Sequence, residues 1–401
     1  MSRSRRITLA VGVLMFVDAS LYLAVIPLLP RYVERFDLST FQAGVVIAAY
    51  PISVPLVSLG CIVLVPRIGA RRITLYSAAL MSVATVIFAW APSATVLIAA
   101  RLVQGFASGS IWTGSMAWVT DNAPEGRRGR ESGIVMGMLS AGSIAGPAVG
   151  AIAAWAGQGV GFGLVAAVSL LGVALAALAP AGRAHVGAPT RLGDALGRAI
   201  RQPATRAALA LTLVDLLTFG AVDLLVPLRL GATGTSVTAI AAAIGAGAVL
   251  GAVTGPIGGR MVDRLGPYQV GMTTAAFIVI IPVVLAFEPT TGVQLATLVV
   301  GGPLFALVGS AIFPLSSAGA DAAAIPHVAS NGLMGVVWAG GFTVVPLAVG
   351  LLAQSTSREV AYLVIFALTV PVLALLRRSG GARVQTAESR ISAVSDSGGI
   401  P

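Results

Sequence analysis

Apolar runs of about 20 residues recur along almost the whole of this 401-residue chain, and each is long enough to cross a ~30 Å hydrocarbon core as a helix. A helix satisfies its own backbone N–H and C=O groups where no water can. The repetition therefore predicts an all-α membrane protein. Composition agrees: 57% of residues are hydrophobic and 10% charged, against roughly a quarter charged in soluble domains. No stretch between the runs is long enough to fold as a domain of its own.

The runs predict twelve transmembrane helices, at about 7–29, 41–65, 73–91, 95–119, 132–154, 160–180, 206–230, 236–258, 269–287, 292–316, 328–353 and 359–376. The opening "MSRSRRITLAVGVLMF" has the basic and apolar parts of a signal peptide, but the run continues to Pro30 and eleven more follow, so it is read as the first span. Every basic side chain apart from the two histidines is arginine. Twenty of these arginines fall on one side of the predicted spans, and only Arg31, Arg35, Arg229 and Arg358 on the other. The positive-inside rule then places both termini in the cytoplasm of a multi-pass protein of the cell membrane. The net charge of +10 is accounted for by this orientation, and no nucleic-acid partner is needed to explain it.

A single cysteine, Cys61, allows neither a disulfide framework nor a cysteine metal site. The two histidines, His185 and His327, lie outside the predicted spans, and no nucleophile-and-base motif is present. The expectation is no metal, no cofactor and no enzyme.

The longest connection, "AGRAHVGAPTRLGDALGRAIRQPATR", separates six spans from six, and its middle reads as a short basic amphipathic helix. The predicted organisation is a six-helix bundle over 1–180, a cytoplasmic linker over 181–205, a second six-helix bundle over 206–378 and a disordered tail over 379–401. The halves echo each other at an offset of about 200. Pro27 in "IPLLP" answers Pro227 in "VPLRL", and Asp121 answers Asp321. Pro147 and Gly150 in "GPAVG" answer Pro346 and Gly350 in "VPLAVG", and Arg67 and Gly69 answer Arg264 and Gly266. Such agreement indicates a duplicated unit and two pseudo-symmetric bundles, an arrangement that places a substrate near the midplane between halves that rock about it.

These features resemble the major facilitator superfamily over essentially all of the chain except the tail. Gly259, Asp263, Arg264 and Gly266 have the spacing of that family's cytoplasmic loop motif, which helps latch the two halves together. The first-half copy keeps Arg67, Gly69 and Arg71, with Asp121 as a possible partner, but has Pro66 and Ile62 where Asp and Gly are expected. "GSIAGPAVGA", with Gly142, Gly146, Pro147 and Gly150, resembles the fifth-helix motif of exporting antiporters. It presents small residues that admit a neighbouring helix, for which Gly247, Gly251 and Gly255 of the eighth span offer a matching ridge.

"RLVQGFASG", with Arg101, Gln104, Gly105 and Gly109, resembles the family's fourth-helix motif, whose arginine is associated with proton coupling. The residues alone also argue that Arg101 faces the bundle interior. Arg101, Gln104, Ser108, Trp112 and Ser115 form one stripe on a helix of period 3.6, and an intramembrane charge is costly enough to face inward. Gly301 occupies the equivalent place in the second half. Asp18 is the expected partner of Arg101, with Asp215 and Asp223 of the seventh span as further proton-coupling carboxylates. A carboxylate that alternates between an apolar environment and an arginine changes its proton affinity, and can load and release a proton. Tyr22, Gln104, Trp112, Met116 and Trp338 are the expected substrate contacts.

The resemblance implies a proton-coupled exporter of small amphiphilic or cationic molecules, working by alternating access as multidrug efflux proteins do. A family member carrying a sugar, amino acid or other metabolite, by antiport or symport, is the alternative. The expected partners are a small-molecule substrate, protons and the lipid bilayer, and a single chain, functional as a monomer, contains both halves.

Overall fold

The computed structural model describes residues 3–124, 128–180, 192–287, 290–324, 327–374 and 376–377. The linker segment 181–191 and the tail 379–401 lie outside these residues, so the expectations made of them stand untested. Among the described residues there is no strand.

The first span is α1, Arg3–Ala24, which passes through a 3-10 turn at Ile26–Leu28 into α2, Leu29–Phe36. The second span is broken into α3, Thr40–Ala48, and α4, Val54–Ile68, bent by 47°. The sequence predicted one continuous run here. Pro51 lacks the N–H that a continuing helix requires, so the chain turns through Pro51–Ser53 before resuming. The remaining elements are α5, Ala70–Ala89; α6, Ala94–Asn122; α7, Arg128–Ala156; α8, Gln158–Leu178; α9, Leu192–Arg201; α10, Pro203–Ala232; and α11, Val237–Leu265. They are followed by α12, Pro267–Ile278; α13, Ile280–Ala286; α14, Thr291–Ala322; α15, His327–Ser355; and α16 over 358–374. The short α9 falls where the linker sequence predicts a helix.

Ten helices are long and apolar enough to cross a membrane, and the bent pair α3–α4 makes an eleventh. The expected last span is the helix α16. Length and apolarity thus support ten or eleven spans directly where the sequence predicted twelve. Large apolar side chains such as Leu56, Leu171, Val253 and Phe313 stand exposed, a surface that lipid rather than water covers. Burial is uneven: 72% of the apolar window is buried in Arg3–Phe36 and in Pro203–Ala232, against 28% in Glu131–Ala156 and in Val237–Leu265. The first and seventh spans are therefore the inner ones, and polar groups on them are shielded from lipid.

Contacts divide the chain into two units, the first made of the described parts of Met1–Ala188, Val222–Ala248 and Phe342–Ser355, and the second of the rest. In the first unit the glycine ridge of α7 packs on α1. A Cβ at Gly142 would lie 2.2 Å from the Phe16 carbonyl oxygen, and one at Gly150 would lie 2.7 Å from that of Ala24. The Ser20 hydroxyl donates to the Gly142 carbonyl at 3.1 Å. On α11, a Cβ at Gly245 would lie 3.8 Å from Pro147 of α7, and Gly251 packs on Gly302 in the second unit. Also within the first unit, the ends of α10 and α15 close on α2 and α3. A Cβ at Gly231 would meet Pro30, and the Phe41 N–H donates to Gln354 Oε1 at 3.2 Å.

The two loop motifs share a turn. Gly69 (φ 94°) and Gly266 (φ 81°) both adopt left-handed backbone directly before α5 and α12, which explains why these glycines recur in the two halves. Arg71 donates to the carbonyls of Ala176 and Ala177, the latter through a short bond. It thereby closes the C-terminal end of α8, where a cation is favoured. Gly259, Asp263 and Arg264 lie at the end of α11, with the last two exposed. The Asp121 side chain lies outside the described residues.

Candidate functional site

The site is built on α6. Its stripe points inward as the spacing predicts: Arg101 is 1% exposed, Gln104 0% and Ser115 0%, whereas the intervening Leu102, Val103 and Phe106 are exposed. Gly105 decides what lies over this stripe. A Cβ there would sit 1.7 Å from the Tyr50 carbonyl oxygen, so only glycine lets the broken second span approach. Gly109, one turn on, meets Val54 in the same way, at 3.0 Å. The break at Pro51 and the missing side chain at Gly105 together lay Tyr50 across α6.

Tyr50 then joins the two charged residues. The Arg101 guanidinium carbon lies 4.4 Å from the centre of the Tyr50 ring, a cation–π contact. The Tyr50 hydroxyl donates to Asp18 Oδ1 at 2.6 Å. Asp18 Oδ2 accepts from Trp112 Nε1 at 3.0 Å, and Ser108 is alongside. Arg101 itself donates to the Leu21 carbonyl at 3.1 Å and to Gln104 Oε1 at 3.4 Å. Gln104 donates to Thr85 at 3.2 Å. Among the described residues the expected direct pairing of Asp18 with Arg101 is therefore replaced by a relay through the Tyr50 ring. Gln104 and Trp112, expected to touch substrate, are hydrogen-bonded to Arg101 and Asp18. Tyr50 is the residue missed from sequence, although its place just before Pro51 in "AAYPIS" marks it as the side chain at a helix break.

A second carboxylate has a different setting. Asp223 of α10 is half-buried and has no hydrogen-bond or ion-pair partner among the described residues. It is close enough to Tyr22 for their charges to interact. The Tyr22 ring packs against Tyr50, with centroids 5.8 Å apart, and edge-on against Phe342 at 5.9 Å. Asp18 is saturated by donors and Asp223 by none. Met116 lies on the same α6 and is half-buried. Asp215 (3% exposed) and Trp338 belong to the second unit.

That unit carries no copy of the charged relay at the equivalent positions. Gly301 stands where Arg101 does in the first half, and a Cβ on it would be 2.9 Å from the Phe219 ring. Phe219 in turn meets Phe305 edge-on, with centroids 6.3 Å apart, and the place of Asp18 is taken by buried Thr218.

The family model of the major facilitator superfamily matches residues 8–330. The chain belongs to the major facilitator superfamily. A crystal structure of another such transporter, a bacterial homologue of the human lysosomal transporter Spinster in an inward-facing, unoccupied conformation, superimposes with a TM-score of 0.73 at 15% identity. It covers 94% of this chain and 98% of that one, and shows the shared fold. Among curated relatives, a probable vesicular acetylcholine transporter of Danio rerio is 31% identical over 175 residues, 37% of this chain and 34% of that protein. The quinolone resistance protein NorA of Staphylococcus aureus is 27% identical over 126 residues, 31% of this chain and 32% of that protein. The chain spans about a third of the length of the curated relatives it matches. As a superfamily member it is a multi-pass membrane transporter and not an enzyme.

Proposed function

We propose that this major facilitator transporter exports small cationic or amphiphilic molecules from the cell across the cytoplasmic membrane, in exchange for protons. The observation that carries the reading is the contrast between two carboxylates of the first unit. Asp223 is half-buried, without a counter-ion, and near enough to Tyr22 to interact with it electrostatically, while the Tyr22 ring packs on Phe342, which is a setting that suits a desolvated organic cation. Asp18 is sealed behind Tyr50 and Trp112, where it serves the proton. The names of two relatives support the same class, since acetylcholine is a quaternary ammonium ion and NorA is named for drug resistance.

A bound proton turns an acceptor oxygen of Asp18 into a donor. A proton facing Trp112, whose indole N–H can only donate, loosens that bond and frees the fourth span from the first, whereas a proton facing Tyr50 reverses the bond, because the phenol can also accept. Tyr50 shifts over Arg101 as it does so, and the guanidinium follows the ring. The two six-helix halves, 1–180 and 206–378, then change which side of the membrane Asp223 faces. One chain suffices for the cycle, and both termini lie in the cytoplasm. The arginines of the two loop motifs, with Asp121, Gly259 and Asp263, latch the halves between turns.

The test is uptake of tetraphenylphosphonium into inverted proteoliposomes under an imposed pH gradient. Wild type accumulates the cation only while the gradient stands. Asp223→Asn loses accumulation by at least about tenfold, the cost of one charge-assisted contact, and Asp18→Asn retains binding but no longer responds to the gradient. Gradient-independent uptake by wild type, or full uptake by both variants, overturns the reading.

A further inference from the structure

On the face opposite the N-terminus, where arginine is scarce, Arg31 and Arg35 stand one helical turn apart on α2. Both line a cavity of about 190 Å³ together with Leu28, Tyr32, Ala153 and Gln158. That is smaller than the roughly 300–1,000 Å³ of pockets for drug-sized molecules, and suits a headgroup fragment better than a transported drug. The arginines are oriented by neutral acceptors: Arg31 donates to the Ala154 carbonyl at 2.5 Å, and Arg35 to Gln158 Oε1 at 3.1 Å and the Ala91 carbonyl at 3.3 Å. Each guanidinium has five N–H donors, so several remain on each. Glu34 and Asp37, the carboxylates of the same segment, are exposed and make no ion pair with either arginine.

Tyr32, 2% exposed, forms a wall of the cavity between the two arginines. The depth is also informative. Trp155, which follows the Ala154 acceptor, is 89% exposed, and Trp90, which precedes the Ala91 acceptor, is 64% exposed. The Trp90 indole lies against Gly159, beside Gln158. Exposed tryptophans of this kind mark the level of lipid headgroups, where basic pockets between spans hold anionic lipids.

We propose that this cavity binds the phosphate of an anionic phospholipid, with Arg31 and Arg35 as charge-assisted donors and the acyl chains running down the face beside Trp155. The full-length protein in detergent is titrated with phosphatidylglycerol, phosphatidylcholine or inorganic phosphate while its melting temperature is followed. Phosphatidylglycerol is expected to raise the melting temperature more than either of the others, and R31Q/R35Q to weaken its binding by about tenfold or more. Native mass spectrometry of the single variants R31Q and R35Q is expected to show fewer retained phosphatidylglycerol molecules than wild type, and serves alone if the double variant does not fold. Equal stabilisation by inorganic phosphate or by phosphatidylcholine overturns the lipid assignment. Unchanged phosphatidylglycerol retention in both single variants, or unchanged affinity in R31Q/R35Q, overturns the site.

Discussion

A buried guanidinium must spread its charge over whatever acceptors surround it, and Arg101 finds a helix carbonyl, an amide oxygen and the face of a tyrosine. Tyr50→Phe keeps the ring over Arg101 and removes only the bond to Asp18. It is expected to cost about 1 kcal/mol of stability and to leave substrate binding in place while weakening the dependence of transport on the pH gradient, measured in proteoliposomes. Gly105→Ala must push the Tyr50 backbone away from α6, at a cost of about 1–3 kcal/mol, read as a lower melting temperature in detergent. The charges at 18, 101 and 223 and their inward direction were legible in the sequence, because charge inside an apolar run has few tolerable destinations. The relay was not, because it depends on Tyr50 coming from a different span, across a gap set by a glycine.

At the scale of elements, the fifth-span glycine motif serves first to seat α7 on α1. Gly142→Leu has no room against Phe16, so the expected outcome is loss of monodisperse protein on size-exclusion chromatography, whereas Gly137→Leu, at a position with nothing nearby, leaves the profile unchanged. Gly266 holds a backbone conformation that is strained for other residues; Gly266→Ala should lower stability by about 1–3 kcal/mol, seen as a lower melting temperature. Helix positions followed from apolar run lengths, and the turn glycines from their recurrence in both halves. The break in the second span was missed because Pro51 sits inside a run whose hydropathy alone gives no sign of a bend. That the fifth-span ridge seats on α1 was also missed, since small-residue spacing fits many neighbours equally well.

At the scale of the molecule, alternating access requires the contacts of α3 with the end of α15 to part during each cycle. A Cβ at Gly350 would lie 3.0 Å from the Thr40 carbonyl oxygen, close enough for engineering a bridge. Thr40→Cys with Gly350→Cys, in a Cys61→Ser background, is expected to crosslink under oxidation and stop transport, with recovery on reduction; transport that continues through a verified crosslink would contradict the cycle. The duplicated architecture is visible in both sequence halves, yet the charged relay occupies only the first, and Gly301, Phe219 and Thr218 give the second an apolar counterpart. Asp18 is closed off by Tyr50 and Trp112 while Asp223 is half-buried, so in the proposed exchange cargo and proton have separate addresses. A molecule that lodges at Asp223 without being carried would therefore still leave Asp18 free to cycle, and its signature would be an energy-wasting proton leak rather than a silent block.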